Sequence, residues 1–175
     1  MRVRQARPPI AFRAVNRRGM PGHSAELQRH HLLPCQLLSQ RSFDQMFAGI
    51  GRQRIGFDDF RVNGMLLPSN EESAMLLALP LHRGPHRQYN ELVCERVGQI
   101  EQSWAKTSLQ DRNEACQDAL MRFSLLQSAL RRRLLDTVGR QMLLNRRDPH
   151  GRAVDFTDLD AMAEALWGAT EAIKQ

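Results

Sequence analysis

The chain has 175 residues, 42% hydrophobic and 25% charged, which suits one domain with or without an appended helical unit and excludes a wholly disordered chain. Three cysteines, Cys35, Cys94 and Cys116, form no disulfide framework and point to a reducing compartment. The longest apolar stretch, Ala74 to Leu81, is far short of the ~18 residues of a membrane span, so no membrane partner is expected, whereas a net charge of +6 carried almost wholly by arginine suits phosphate oxygens.

Residues 1–22 hold Arg2, Arg4, Arg7, Arg13, Arg17 and Arg18, no acid, and several prolines and glycines. They read as a flexible basic arm. Pro8 and Pro9 break the one apolar patch near it, so no classical signal peptide is expected, but a cytoplasmic protein or an effector exported by a specialised system. Residues 23–104 follow as a second unit, dense in turn signals such as Asn63-Gly64, Pro68-Ser69-Asn70 and Gly84-Pro85. Strands are expected near 29–33 and 62–67, with a short helix near 35–47. Pro85 suits the first position of a helix running to Trp104.

Residues 105–175 read as a helical module that packs on the second unit or binds a partner. Ser108-Leu-Gln-Asp111 has the form of a capping box and predicts a helix to about Arg146. Its apolar positions Cys116, Leu120, Phe123, Leu126, Leu130, Leu134, Val138 and Met142 recur by threes and fours. Thr157-Asp-Leu-Asp160 predicts a last helix to about Ile173. Arg131, Arg132 and Arg133 are consecutive, so they cannot share one helix face; a solvated face is expected there. The fold class is therefore α+β and mostly helical.

Histidine is where chemistry concentrates. Five of the six histidines, His23, His30, His31, His82 and His86, lie between residues 23 and 90. Imidazole is the commonest transition-metal ligand near neutral pH. His82 and His86 are four apart, a spacing able to chelate one ion. His30 and His31 are adjacent, so on an extended backbone they point to opposite sides. One can face a metal while the other faces an attacking water. His31 and Cys35 are also four apart, which leaves open a closed Cys-His₃ structural zinc in a non-catalytic nucleic-acid-binding protein.

Three segments carry a resemblance: His30-His31-Leu-Leu-Pro34, Asn63-Gly64-Met-Leu-Leu67-Pro68, and His82-Arg83-Gly-Pro-His86-Arg87-Gln-Tyr89-Asn90. Together they resemble the AHH family of nucleases in the HNH/endonuclease VII group, over roughly residues 23–97. Arg29 stands where that family has its namesake alanine. The resemblance implies a small ββα-metal, treble-clef-like core and a metal-dependent endonuclease. It implies His30, His82 and His86 as metal ligands and His31 as the general base. Asn63 would pin the first-strand loop, and Asn90, with Arg83 and Arg87, would meet the substrate. One divalent ion is implied. Neutral histidines suit Zn²⁺, Ni²⁺ or Co²⁺, and Mg²⁺ less well; the identity, Mn²⁺ included, stays open. The implied partners are nucleic acid, DNA ahead of RNA, and, should the chain be a toxin module like many in the family, an immunity protein.

Overall fold

The computed structural model describes residues 7–137, 142–145 and 148–150. It is a mostly helical α+β fold around one small sheet. Strand β1 (Leu27–His31) pairs antiparallel with β2 (Gly64–Pro68), with His31 opposite Gly64 and His30 opposite Met65. Both strands lie within about two residues of their expected places. The second starts later because residues 60–63 are helical: α3 (Phe60–Asn63) is capped by Asp59, whose side chain accepts from the Arg61 amide. Asn63-Gly64 is thus no hairpin turn but the junction from a helical turn into a strand. Gly64 has a steric reason to lack a side chain. A Cβ there would lie 2.3 Å from Cδ2 of Phe60.

The helix expected over 35–47 is broken. Two 3₁₀ turns, Cys35–Ser39 and Arg41–Phe43, flank an extended Gln40, and the α-helix starts only at α1 (Asp44–Ile50). Helix α2 (Arg52–Ile55) follows, and α4 (Glu71–Leu77), capped by Asn70, follows β2. Met75, Leu76 and Leu77 of the long apolar stretch face solvent.

Two long helices supply a large share of the buried residues. Helix α5 (Arg87–Ser108) starts two residues after Pro85, with His86 at the N-cap and Gly84 in the left-handed region ahead of it. Helix α6 (Arg112–Leu135) is capped by Asp111, whose carboxylate accepts from the Asn113 and Glu114 amides. Of the expected capping box, the aspartate is the cap; Ser108 ends α5 and its hydroxyl donates to Ala105. Helix α6 ends at Leu135, well before Arg146. Asp136 is extended and pairs with Arg133, and Met142 returns to donate to the Arg133 carbonyl. The apolar rhythm misled because Met142 is buried, but from outside the helix. The helix expected over 157–173 lies outside the described residues.

Leu32, Leu33, Val93, Val97, Ile100, Phe123, Leu130 and Leu134 are fully buried, and the cluster they join reaches Leu144. Each such side chain stabilises by roughly 1.5–3 kcal/mol. Of the arginine triplet only Arg132 is exposed, as a solvated face would have it. Arg131 donates to the carbonyls of Arg61, Val62 and Gly64, and Arg133 is buried against Asp136. Helix α6 thereby grips the junction that leads into β2. All three cysteines are free thiols. No helix among the described residues is long and apolar enough to cross a membrane.

Candidate active site

Strand alternation divides the histidine pair. His30 points inward and is buried; His31 points to the other face of β1 and is half-buried. A loop running from α4 to α5 brings His82 to the same side as His30. Its backbone is fixed first: the His82 amide donates to Pro68 at the end of β2, and the Leu81 amide donates to the buried carboxylate of Asp148. His86 arrives at the N-cap of α5, and its side chain makes no capping hydrogen bond. The four-residue spacing of His82 and His86 therefore works through a loop, not through a helix face.

One ligating atom from each of His30, His82 and His86 lies within 4.8 Å of the other two. The ring centroids are 5.0 Å apart for His30 and His82, and 4.5 Å for His82 and His86. Nδ1 of His82 lies 3.2 Å from Oε1 of Gln28, and Nδ1 of His86 lies 3.2 Å from the Leu144 carbonyl. Both acceptors call for a proton on Nδ1, which leaves Nε2 unprotonated and free to bind a cation. Nε2 of His30 is buried with no hydrogen-bond partner. An orphaned buried polar atom costs roughly 1–3 kcal/mol, a cost that a bound cation removes. The donor set fits a divalent transition metal: three neutral imidazoles with room for further ligands.

The electrostatics keep these rings neutral. Burial, followed by the neighbouring histidines, holds His30 well below the ordinary histidine range. Burial, with His86 and His31, pushes His82 down to about 4. Burial also lowers His86, opposed by its bond to the Leu144 carbonyl. Neutral imidazole is the ligating form, so no proton competes with a metal near pH 7.

His31 lives differently. Burial lowers its pKa, Asp58 opposes that shift and Arg29 adds to it. Neither ring nitrogen has a hydrogen-bond partner among the described residues. Its ring lies parallel on Phe12, with centroids 3.7 Å apart and planes at 6°. Asn63 sits fully buried behind the strands. Its Oδ1 accepts from the Leu33 amide, and its Nδ2 donates to the carbonyls of Leu33 and Phe57. It ties the chain just after His31 to the loop ahead of β2.

The remaining expected residues are more dispersed. Asn90 and Arg87 line a cleft of about 360 Å³ together with Gln36 and Glu91, and Asn90 donates to Gln36. Arg83 is exposed, and its carbonyl accepts from Asn145. Cys35 does not join the three histidines. Its side chain is exposed, and the ligand cluster among the described residues holds the three histidines without it, so no closed Cys-His₃ site forms there.

Sequence reasoning missed several contributors. Tyr89, named within the third segment but given no role, has its ring centroid 5.0 Å from that of His30, and its hydroxyl donates to the Leu32 carbonyl. Burial pushes its pKa up, so it stays a neutral donor. Gln28 and the Leu144 carbonyl carry no sequence signal, since any residue can present a carbonyl and a strand glutamine looks solvated.

The two-stranded sheet, the loop and helix start beyond it and three convergent imidazoles make a cluster that could hold a metal ion. The AHH family, described as a nuclease family of the HNH/ENDO VII superfamily with conserved AHH, matches residues 11–130. The chain belongs to this nuclease family. The match begins well before the first histidine pair and runs deep into α6. No curated protein and no solved structure matches the chain.

Proposed function

We propose that the protein is a metal-dependent endonuclease that hydrolyses phosphodiester bonds, DNA ahead of RNA, with His31 as general base. The observation that carries this reading is the convergence of three imidazoles around the unpartnered Nε2 of His30, with a fourth imidazole left unligated on the other face of the same strand. His30, His82 and His86 would hold the cation, which when bound supplies positive charge to a phosphoryl oxygen and to the leaving group.

His31 accepts the proton from the attacking water. Its lowered pKa keeps the ring unprotonated at pH 7, the form a base needs. Asn63 acts at one remove, holding Leu33 and so the end of the strand that carries His31. Arg83 and Arg87 stand exposed on the loop and first turn beside His82 and His86, where arginine forks suit backbone phosphates. Asn90 orients substrate from the adjoining cleft. Of residues 105–175, helix α6 buttresses the site through Gln127 and Arg131, which reach the end of α2 at Ile55 and the α3–β2 junction. A role as a toxin held in check by an immunity protein is proposed alongside, on the likeness to toxin modules of the family.

The test is cleavage of plasmid DNA and of single-stranded RNA with Zn²⁺, Ni²⁺, Mn²⁺ or Mg²⁺ added, for wild type and His31→Ala. Cleavage by wild type and loss in the variant support the reading. Equal cleavage by both removes His31 from the chemistry, and no cleavage of either polymer with any ion removes the nuclease.

A further inference from the structure

A general base works only if its ring is held. His82 and His86 are held by hydrogen bonds from Nδ1, to Gln28 and to the Leu144 carbonyl. His31 has no such bond among the described residues. What touches its ring is Phe12, parallel and in van der Waals contact at 3.7 Å. Phe12 is itself fixed. Its carbonyl accepts from Nη1 of Arg29, two residues before His31 on the same strand. Its ring meets Phe60 edge-on at 5.1 Å, and Phe60 has room for its own ring because residue 64 is glycine.

The backbone on either side is pinned as well. Ala11 forms a β-bridge with Asp59. The Ile10 amide donates to the Asp59 carboxylate, and the Phe60 amide donates to the Ile10 carbonyl at 2.7 Å. Farther up the arm, Nη2 of Arg61 reaches the Arg7 carbonyl. This part of the arginine-rich arm therefore lies along the edge of the site and ends over the imidazole.

We propose that Phe12 is a positioning residue for catalysis: its ring sets the orientation of the His31 imidazole, taking the place that a hydrogen-bonding partner holds elsewhere. The proposal rests on His31 being the base. The stack covers a ring face and leaves the edge, where both nitrogens lie, available to water. An aromatic face also favours the imidazolium that forms once the proton is taken, by cation–π attraction. The arm is then an active part of the site and not a plug that must leave before substrate enters.

The experiment compares wild type, Phe12→Leu, Phe12→Tyr and His31→Ala in plasmid cleavage, with metal content and thermal melting measured on each. We expect Phe12→Leu to lose roughly tenfold in kcat with KM changed little, a fraction of the 10²–10⁴ that a general base contributes. Phe12→Tyr restores the rate, because it restores the stack. Cleavage by Phe12→Leu at or above the wild-type rate overturns the proposal, as does a tyrosine variant no better than leucine. If wild type cleaves nothing, the nuclease reading fails by itself, and NMR of ring-labelled histidine decides the positioning claim. A His31 resonance shifted upfield in wild type and released in Phe12→Leu supports it; an identical resonance in both overturns it.

Discussion

Two adjacent histidines share a strand and a chemical nature, and almost nothing else. His30 is buried among His82, His86 and Tyr89, and its Nε2 has no partner. His31 is half-buried on the opposite face, its ring supported by an aromatic stack. The pleat of β1 makes the difference: one residue of advance turns the side chain to the other side of the sheet. Under the proposed function the environment divides the chemistry between them. The buried imidazole, kept neutral and short of one partner, is the proposed ligand. The imidazole at the more open face, with no hydrogen-bond partner among the described residues, is the proposed base. The supports differ too: hydrogen bonds from Nδ1 hold His82 and His86, and a stack holds His31.

The largest expected effect separates the two faces most sharply. His31→Ala should lower the cleavage rate by roughly 10²–10⁴, the usual contribution of general base catalysis, while the metal content stays at that of wild type. Rate and metal measured on one preparation check it. Loss of the ion together with the rate would show that the faces are not independent.

Asn63→Ala strikes both faces from behind. It leaves the Leu33 amide and the Leu33 and Phe57 carbonyls without their side-chain partner in a buried place. At 1–3 kcal/mol for each unsatisfied group, partly relieved by water, a loss of about 3 kcal/mol in chemical denaturation is expected. Gly64→Ala should cost less, roughly 1–3 kcal/mol by the same measurement, because the Phe60 ring can shift at some strain to admit a methyl group. A neutral Gly64→Ala would mean that Phe60 is loosely held and Phe12 with it.

Acid gives the gentlest probe. The three clustered histidines all have folded-state pKa values below the ordinary 6.5. Between 6.5 and about 4, where His82 titrates, the unfolded chain binds more protons than the folded one. Metal-free protein should therefore hold full stability above about pH 7 and lose it progressively as pH falls toward 4. Melting temperature against pH checks the sign; a melting point that rises on acidification would contradict the neutral, buried cluster.

The three-histidine cluster was legible in the sequence through the resemblance, which implied that His30, His82 and His86 meet, and the structure brings them together. Helix spacing was no guide to why the last two meet. The fixing backbone bonds, Leu81 to Asp148 and His82 to Pro68, join positions that no local pattern relates. The other side was far less legible. An arm rich in arginine and proline looks solvated, and nothing in its composition says that Phe12 lies on His31. The cap of α6 was misplaced by three residues because Ser108 and Asp111 are both good caps, and only the chain path decides between them. The end of α6 was overrun because a buried Met142 kept the apolar rhythm alive past Asp136.

Three imidazoles are proposed to grip one cation and to leave Cys35 and His31 outside its reach. Anomalous diffraction from crystals grown with Zn²⁺ or Mn²⁺ checks this without recourse to activity. A single peak is expected at about 2.1 Å from one nitrogen each of His30, His82 and His86, with its remaining positions open to water. A peak bonded to the Cys35 sulfur, or to His31, would contradict it.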